Sequence, residues 1–158
     1  MKNISKLIVS IASVLIGMLL MPMMLFAAEG MLTGTGTESD PYIINTVNDF
    51  GIIQDGIKSG KSYKNKYFRL ESDIKLPTDW KPLGMLKEGV TDAGNGRNIL
   101  PFSGILDGNG HTLTFSKGSK PLFGYVRDAK VENLNIYGEY IDGYGLVENY
   151  VVDYGKDA

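Results

Sequence analysis

The stretch FSGILDGNGHTLTF, Phe102 to Phe115, sets an aspartate, an asparagine, three glycines and the chain's one histidine between two apolar runs. It can be a metal loop, a phosphate cradle or a tight turn, and each makes a different demand on its neighbours. With Asp107 at the third position of an EF-hand calcium loop, Asn109 and Gly110 fall correctly at five and six. The first ligand would then be Ile105 and the twelfth Ser116, so this is not that loop. Zinc needs several convergent nitrogen or carboxylate ligands, and His111 is the only histidine. A phosphate cradle needs a helix opening after the glycines, whereas HTLTF is β-branched and alternating. A turn needs only what is present. Asp-Gly and Asn-Gly pairs favour left-handed backbone angles, and their side chains can bond the turn's own N–H groups. Asp107, Gly108, Asn109, Gly110 and His111 therefore read as a structural turn between strands, with His111 bonding a neighbouring backbone group.

Outward from this turn the chain is repetitive. Leu113 and Phe115 are echoed by Leu134 and Ile136, 21 residues on, and LFGY at Leu122 by LVEN at Leu146, 24 residues on. Near-equal spacing of strand and turn sequence is what a solenoid of parallel strands produces, because each coil places the same inward positions in one continuous core. In VENLNIYG, Val131, Leu134 and Ile136 fit an apolar inner face with one irregular step. Upstream, KYFRLESDIKL alternates and reads as a strand. LKEGVTDAGNGRN is a loop long enough to be flexible or functional. Tyr42 to Ile44 favour a short strand, and Asn45 and Thr46 can cap a helix from Val47 to Lys58, with Asp49 at its positive end and Gly60 as its stop. Val47, Phe50, Ile53 and Ile57 form its apolar stripe.

The amino terminus carries Lys2 and Lys6 and then no charge from Leu7 to Ala28. Residues 1–28 read as an export signal, with Ala27 and Ala28 before a cleavage point; the run is also long enough to remain as an uncut membrane anchor. Removing it takes two of the 16 basic residues and none of the 18 acidic ones, lowering the formal net charge from −2 to about −4. A nucleic-acid partner is disfavoured, since gripping phosphates needs a concentrated basic face. The absence of cysteine excludes thiolate nucleophiles and Cys-ligated zinc and suits an oxidising exterior. Residues 29–40 form a glycine-rich lead-in, and 41–158 one domain of modest core.

GTGTESDPYIINTVNDF, YFRLESDIKL, WKPLG, FSGILDGNGHTL, PLFGYV and AKVENLNIYG follow in the order seen in β-helix modules of secreted and surface-attached bacterial proteins, including those with GLUG-type repeats, of pectate-lyase-like fold. This resemblance covers nearly all of the chain after residue 28. Phe102, Gly104, Asp107, Gly108, Asn109, Gly110, His111 and Thr112 match the family's most distinctive block. The resemblance implies a short right-handed parallel β-helix with an N-terminal capping helix, export, and a scaffolding module of the kind that accompanies adhesive or carbohydrate-active parts. The chain stops at Ala158 after about three coils, so the module is expected to be incomplete there and to be covered by another chain, by self-association or by downstream sequence.

Several residues invite a sharper reading. Trp80, beside the long loop, can stack on a sugar or plug the core beneath it. Tyr137, Tyr140 and Tyr144, with Tyr150 and Tyr154, can offer flat contact area to a glycan or protein, or stack along neighbouring coils. Asp92, Asn95, Asp107 and Asn109 are weak surface-calcium candidates, since calcium accepts irregular oxygen ligation. Carboxylate pairs such as Asp142 with Glu148 or Asp128 with Glu132 can in principle serve polysaccharide cleavage, but no partner motif accompanies them and no GxSxG elbow presents a serine. The expectation is an exported non-catalytic scaffold or recognition module, without cofactor, at the bacterial cell surface. Its alternative is a fragment or small relative of a polysaccharide-cleaving enzyme.

Overall fold

The structure, a computed structural model, describes residues 31–91, 93–94, 96–138 and 146–150. The export segment, Asp92, Asn95, Tyr140, Asp142, Tyr144 and Tyr154 lie outside the described residues. The architecture is mostly β, with parallel sheets and, among the described residues, one helix. In chain order the elements are β1 (Tyr42–Ile44), α1 (Val47–Lys58), β2 (Tyr67–Leu70), β3 (Ile74–Leu76), β4 (Met85–Leu86), β5 (Ile99–Leu100) and β6 (Ile105–Asp107), then β7 (Thr112–Phe115), β8 (Phe123–Val126), β9 (Lys130–Glu132), β10 (Asn135–Gly138) and β11 (Val147–Tyr150). Among the described residues no helix is long and apolar enough to cross a membrane.

Three parallel ladders organise the chain. The first runs β1-β2-β6-β9, the second β3-β7-β10, and the third pairs β8 with β11. Partners Ile105 and Lys130, Leu113 and Ile136, and Phe123 and Val147 share rungs, so one pass of chain adds a strand to each ladder about every 24 residues. The step from Tyr67 to Ile105 is longer because that pass carries β4 and β5, an antiparallel pair bracketing the glycine-rich loop. Lys87 N–H donates to Asn98 O at 2.8 Å at the base of this hairpin, so the expected long loop is an insertion between rungs.

The interior is a file of fully buried side chains. Phe68 meets Tyr42, Tyr63 and Phe102 at ring-centroid distances of 5.4, 5.3 and 5.6 Å, and Phe102 meets Phe123 at 5.0 Å. Alternation explains it: Phe68 and Leu70 of β2, Leu106 of β6, and Leu113 and Phe115 of β7 point inward while their neighbours face out. Helix α1 adds Phe50, Ile53 and Ile57 to the same core. Its start is fastened by Asp49, whose Oδ2 accepts the N–H groups of Asn45 and Thr46 at 2.9 and 2.8 Å and the Thr46 hydroxyl at 3.1 Å. Gly60, φ +86°, follows its last turn.

Two expectations are corrected. KYFRLESDIKL is two strands, because the chain turns at Glu71 to Asp73: Glu71 N–H bonds Ile44 O, and the Ser72 hydroxyl bonds Asn45 O on the preceding pass. The 21-residue echo is also not the structural register. Leu113 pairs with Ile136, 23 residues on, and Leu134 lies in the bend before β10, where Asn133 takes a left-handed φ of +52°. Ile136, expected on the inner face, is 48% exposed.

Candidate functional site

Two stacked corners carry most of the polar chemistry. The first follows the first ladder and contains the turn of the signature stretch. Asp107 Oδ1 accepts the Asn109 N–H at 2.9 Å, closing an Asx turn, and also the side-chain amide of Asn133 on the next pass at 3.0 Å. Asn109 and Gly110 hold φ of +51° and +78°. The Asn109 amide donates to Leu70 O on the previous pass at 3.2 Å, and the Asn135 amide donates to Gly110 O at 2.7 Å. Gly108 is required for another reason: a Cβ there would lie 2.4 Å from Leu134 Cα and 2.6 Å from Asn133 O, so the next pass could not approach.

The His111 main chain bonds Gly108 O and the Asn135 N–H, but its imidazole meets a carboxylate rather than a backbone group. Its Nδ1 lies 3.2 Å from Asp73 Oδ1, which also accepts the Thr112 N–H at 2.8 Å. The backbone hydrogen bond from Thr112, and then the bond to His111, hold the Asp73 carboxyl below its ordinary range. This corner therefore joins three successive passes through Asp73, the Asp107–His111 turn and Asn133, and its donors and acceptors already serve the fold.

The second corner precedes the first ladder. Lys64 and Asn65 on one pass, Ser103 and Gly104 on the next and Asp128 on the third stack beside the end of α1. Asn65 and Asp128 also have left-handed φ, +59° and +52°. Here the polar side chains face outward, around an open cleft of about 300 Å³ lined by Ile57, Leu100 and Pro101 together with Lys64, Arg127 and Asp128. Lys64 Nζ pairs with Asp128 Oδ2 at 3.3 Å. Arg127 Nη2 donates to Gly96 O at 2.8 Å, while its Nε is buried without a partner among the described residues.

The other candidates are dispersed. Trp80 is 7% exposed, packs edge-on to Phe50 at 5.9 Å, and donates its indole N–H to Pro121 O at 3.1 Å. It presents no free face to a sugar, which corrects its place among binding residues. Tyr137 is 61% exposed on β10, beside Ile136. Asp128 and Glu132 face different cations: Asp128 pairs with Lys64, and Glu132 with Lys130 at 2.8 Å, whose ammonium pKa is raised by that bond. Among the described residues no group of three histidine or carboxylate side chains could hold a metal, and Asp107 and Asn109 carry the protein's own bonds. The sequence reading missed Asp73 and the Lys64–Arg127 cleft. Asp73 sits 38 residues before His111, and only the ladder register reveals that they meet.

A stretch of 89 residues, 54% of this chain, is 36% identical to part of halomucin from Haloquadratum walsbyi. The chain spans about 1% of the length of that protein. No family model and no solved structure matches.

Proposed function

We propose that this chain is an exported, non-catalytic module built as a short right-handed parallel β-helix, with α1 as its cap, acting as a scaffold or recognition element at the cell surface. One observation carries the reading. The richest polar cluster in the sequence, Asp107 to His111, is engaged in bonds between successive passes, so the residues that look like chemistry hold the coils together. The recurrence of rungs in three parallel ladders supports the coil geometry, and the partial likeness to a much longer protein supports a modular part. Export rests on residues 1–28.

A glycan-array screen paired with turnover assays on acidic and neutral polysaccharides tests the class. Binding without turnover is the expected result. Turnover that His111→Ala abolishes while the fold persists would overturn the non-catalytic reading. Export is checked by the mass of the extracytoplasmic protein, expected to begin near Glu29.

A further inference from the structure

The open corner beside α1 differs from every other polar surface described above. Its cleft of about 300 Å³ lies at the lower end of the roughly 300–1,000 Å³ typical of small-molecule sites. Three cations, Lys61, Lys64 and Arg127, line it against one carboxylate, Asp128, in a chain whose formal net charge is −2. Positive charge is therefore concentrated here against the trend of the molecule. The Lys61 ammonium lies over the rings of Tyr42 and Tyr63, 5.7 and 5.1 Å from their centroids, so it contributes mainly field. Lys64 and Arg127 are the direct donors.

We infer that this cleft is a binding site for an anionic saccharide, one bearing a sulfate or carboxylate group that docks between Lys64 and Arg127. The Arg127 guanidinium lines the cleft and is anchored by Gly96 O at 2.8 Å, so an incoming oxyanion meets an arginine already held in place. The Lys64 ammonium pairs with Asp128 in an exposed ion pair, which an anion can replace at small cost. The remaining lining selects a sugar over a bare ion. Asp128, released from Lys64, accepts hydroxyl hydrogens, Ser62 and Ser103 supply further polar contacts, and the partly exposed Leu100 and Pro101 accept the C–H face of a ring. This rests on the recognition reading above and names the ligand class and the surface that reads it.

Calorimetric titration of the full chain with dextran sulfate oligosaccharides, with unsulfated dextran oligosaccharides of the same length and with inorganic sulfate tests it. A carboxylated oligosaccharide series distinguishes the two anionic groups. The expected result is binding of a charged oligosaccharide at least tenfold tighter than of its neutral counterpart or of sulfate alone. Lys64→Glu and Arg127→Gln should each weaken it at least tenfold. Lys75→Glu, which makes the same charge change on an exposed β3 position as Lys64→Glu, should leave it within twofold. Circular dichroism of each variant separates lost binding from lost fold, and Lys64, being exposed, keeps the test open if Arg127→Gln unfolds. Equal weakening by Lys75→Glu would reduce the effect to overall charge and overturn the site. Saccharide binding that ignores Lys64 but needs Tyr137 would overturn the site and leave the recognition reading standing. No saccharide binding of any kind would overturn both the site and glycan recognition, leaving a scaffold.

Discussion

The two corners flanking the first ladder are built from similar residues and do opposite things. At the corner after it, Asp107, Asn109, Asn133 and Asn135 turn toward neighbouring passes, and each meets a backbone or side-chain partner there. At the corner before it, Lys64, Ser103 and Asp128 turn outward around a cleft. Side-chain length contributes to the difference. Asparagine and aspartate reach only the adjacent strand, about 4.8 Å away, whereas the longer Lys64 side chain carries its ammonium out to the surface. A polar cluster in such a fold is therefore a staple where its groups bond the backbone and amides of neighbouring passes, and a candidate site where they border a cleft on an exposed, exchangeable pair.

Predictions that sharpen this contrast begin with the core both corners share. Phe102→Ala removes a fully buried ring between Phe68 and Phe123 and should cost about 4 kcal/mol in urea unfolding. At the stapled corner, Gly108→Ala forces a Cβ against Leu134 and Asn133 and should cost about 2–3 kcal/mol. Gly110→Ala meets nothing within 4 Å and pays only for its φ of +78°, about 1 kcal/mol. If the two glycine variants were equally stable, close approach of the passes would not be what Gly108 serves. At the open corner, Lys64→Gln should cost less than about 1 kcal/mol, because its ion pair is exposed.

The smallest effect is one of pH. Asp73's folded carboxyl titrates below its unfolded value, so its contribution is fully present above the ordinary carboxylate range and is lost as pH falls through the depressed folded value. Asp73→Asn should therefore flatten the acid limb of the stability profile, measured as the urea midpoint between pH 7 and pH 3. An unchanged slope would mean that the Thr112 and His111 bonds do not hold Asp73 in solution.

Much of this architecture was legible in local pattern. The α1 stripe, its Asp49 box and Gly60 mark a helix whose start and stop need no tertiary information, and the alternation in YFRL and TLTF marks strands of one buried face. Register was less legible. A left-handed Asn133 displaces Leu134 into a bend, so apolar residues that look equivalent by eye differ by two positions from the true rung. The break at Glu71 to Asp73 was hidden because its cause is a partner on the preceding pass. The staple's identity as a turn could be read from Asp-Gly and Asn-Gly, but its partner Asp73 could not, and the cleft gathers residues from three separated segments that no motif connects.

The β4–β5 hairpin has a further consequence. It lengthens one pass by about a dozen residues while the rungs on either side stay in register, so the ladders tolerate cargo at that point. A foreign peptide grafted between Glu88 and Thr91 would extend from these paired rungs and leave the bond from Arg127 to Gly96 O in place. The hairpin is thus the natural port through which this protein could be made to display something new.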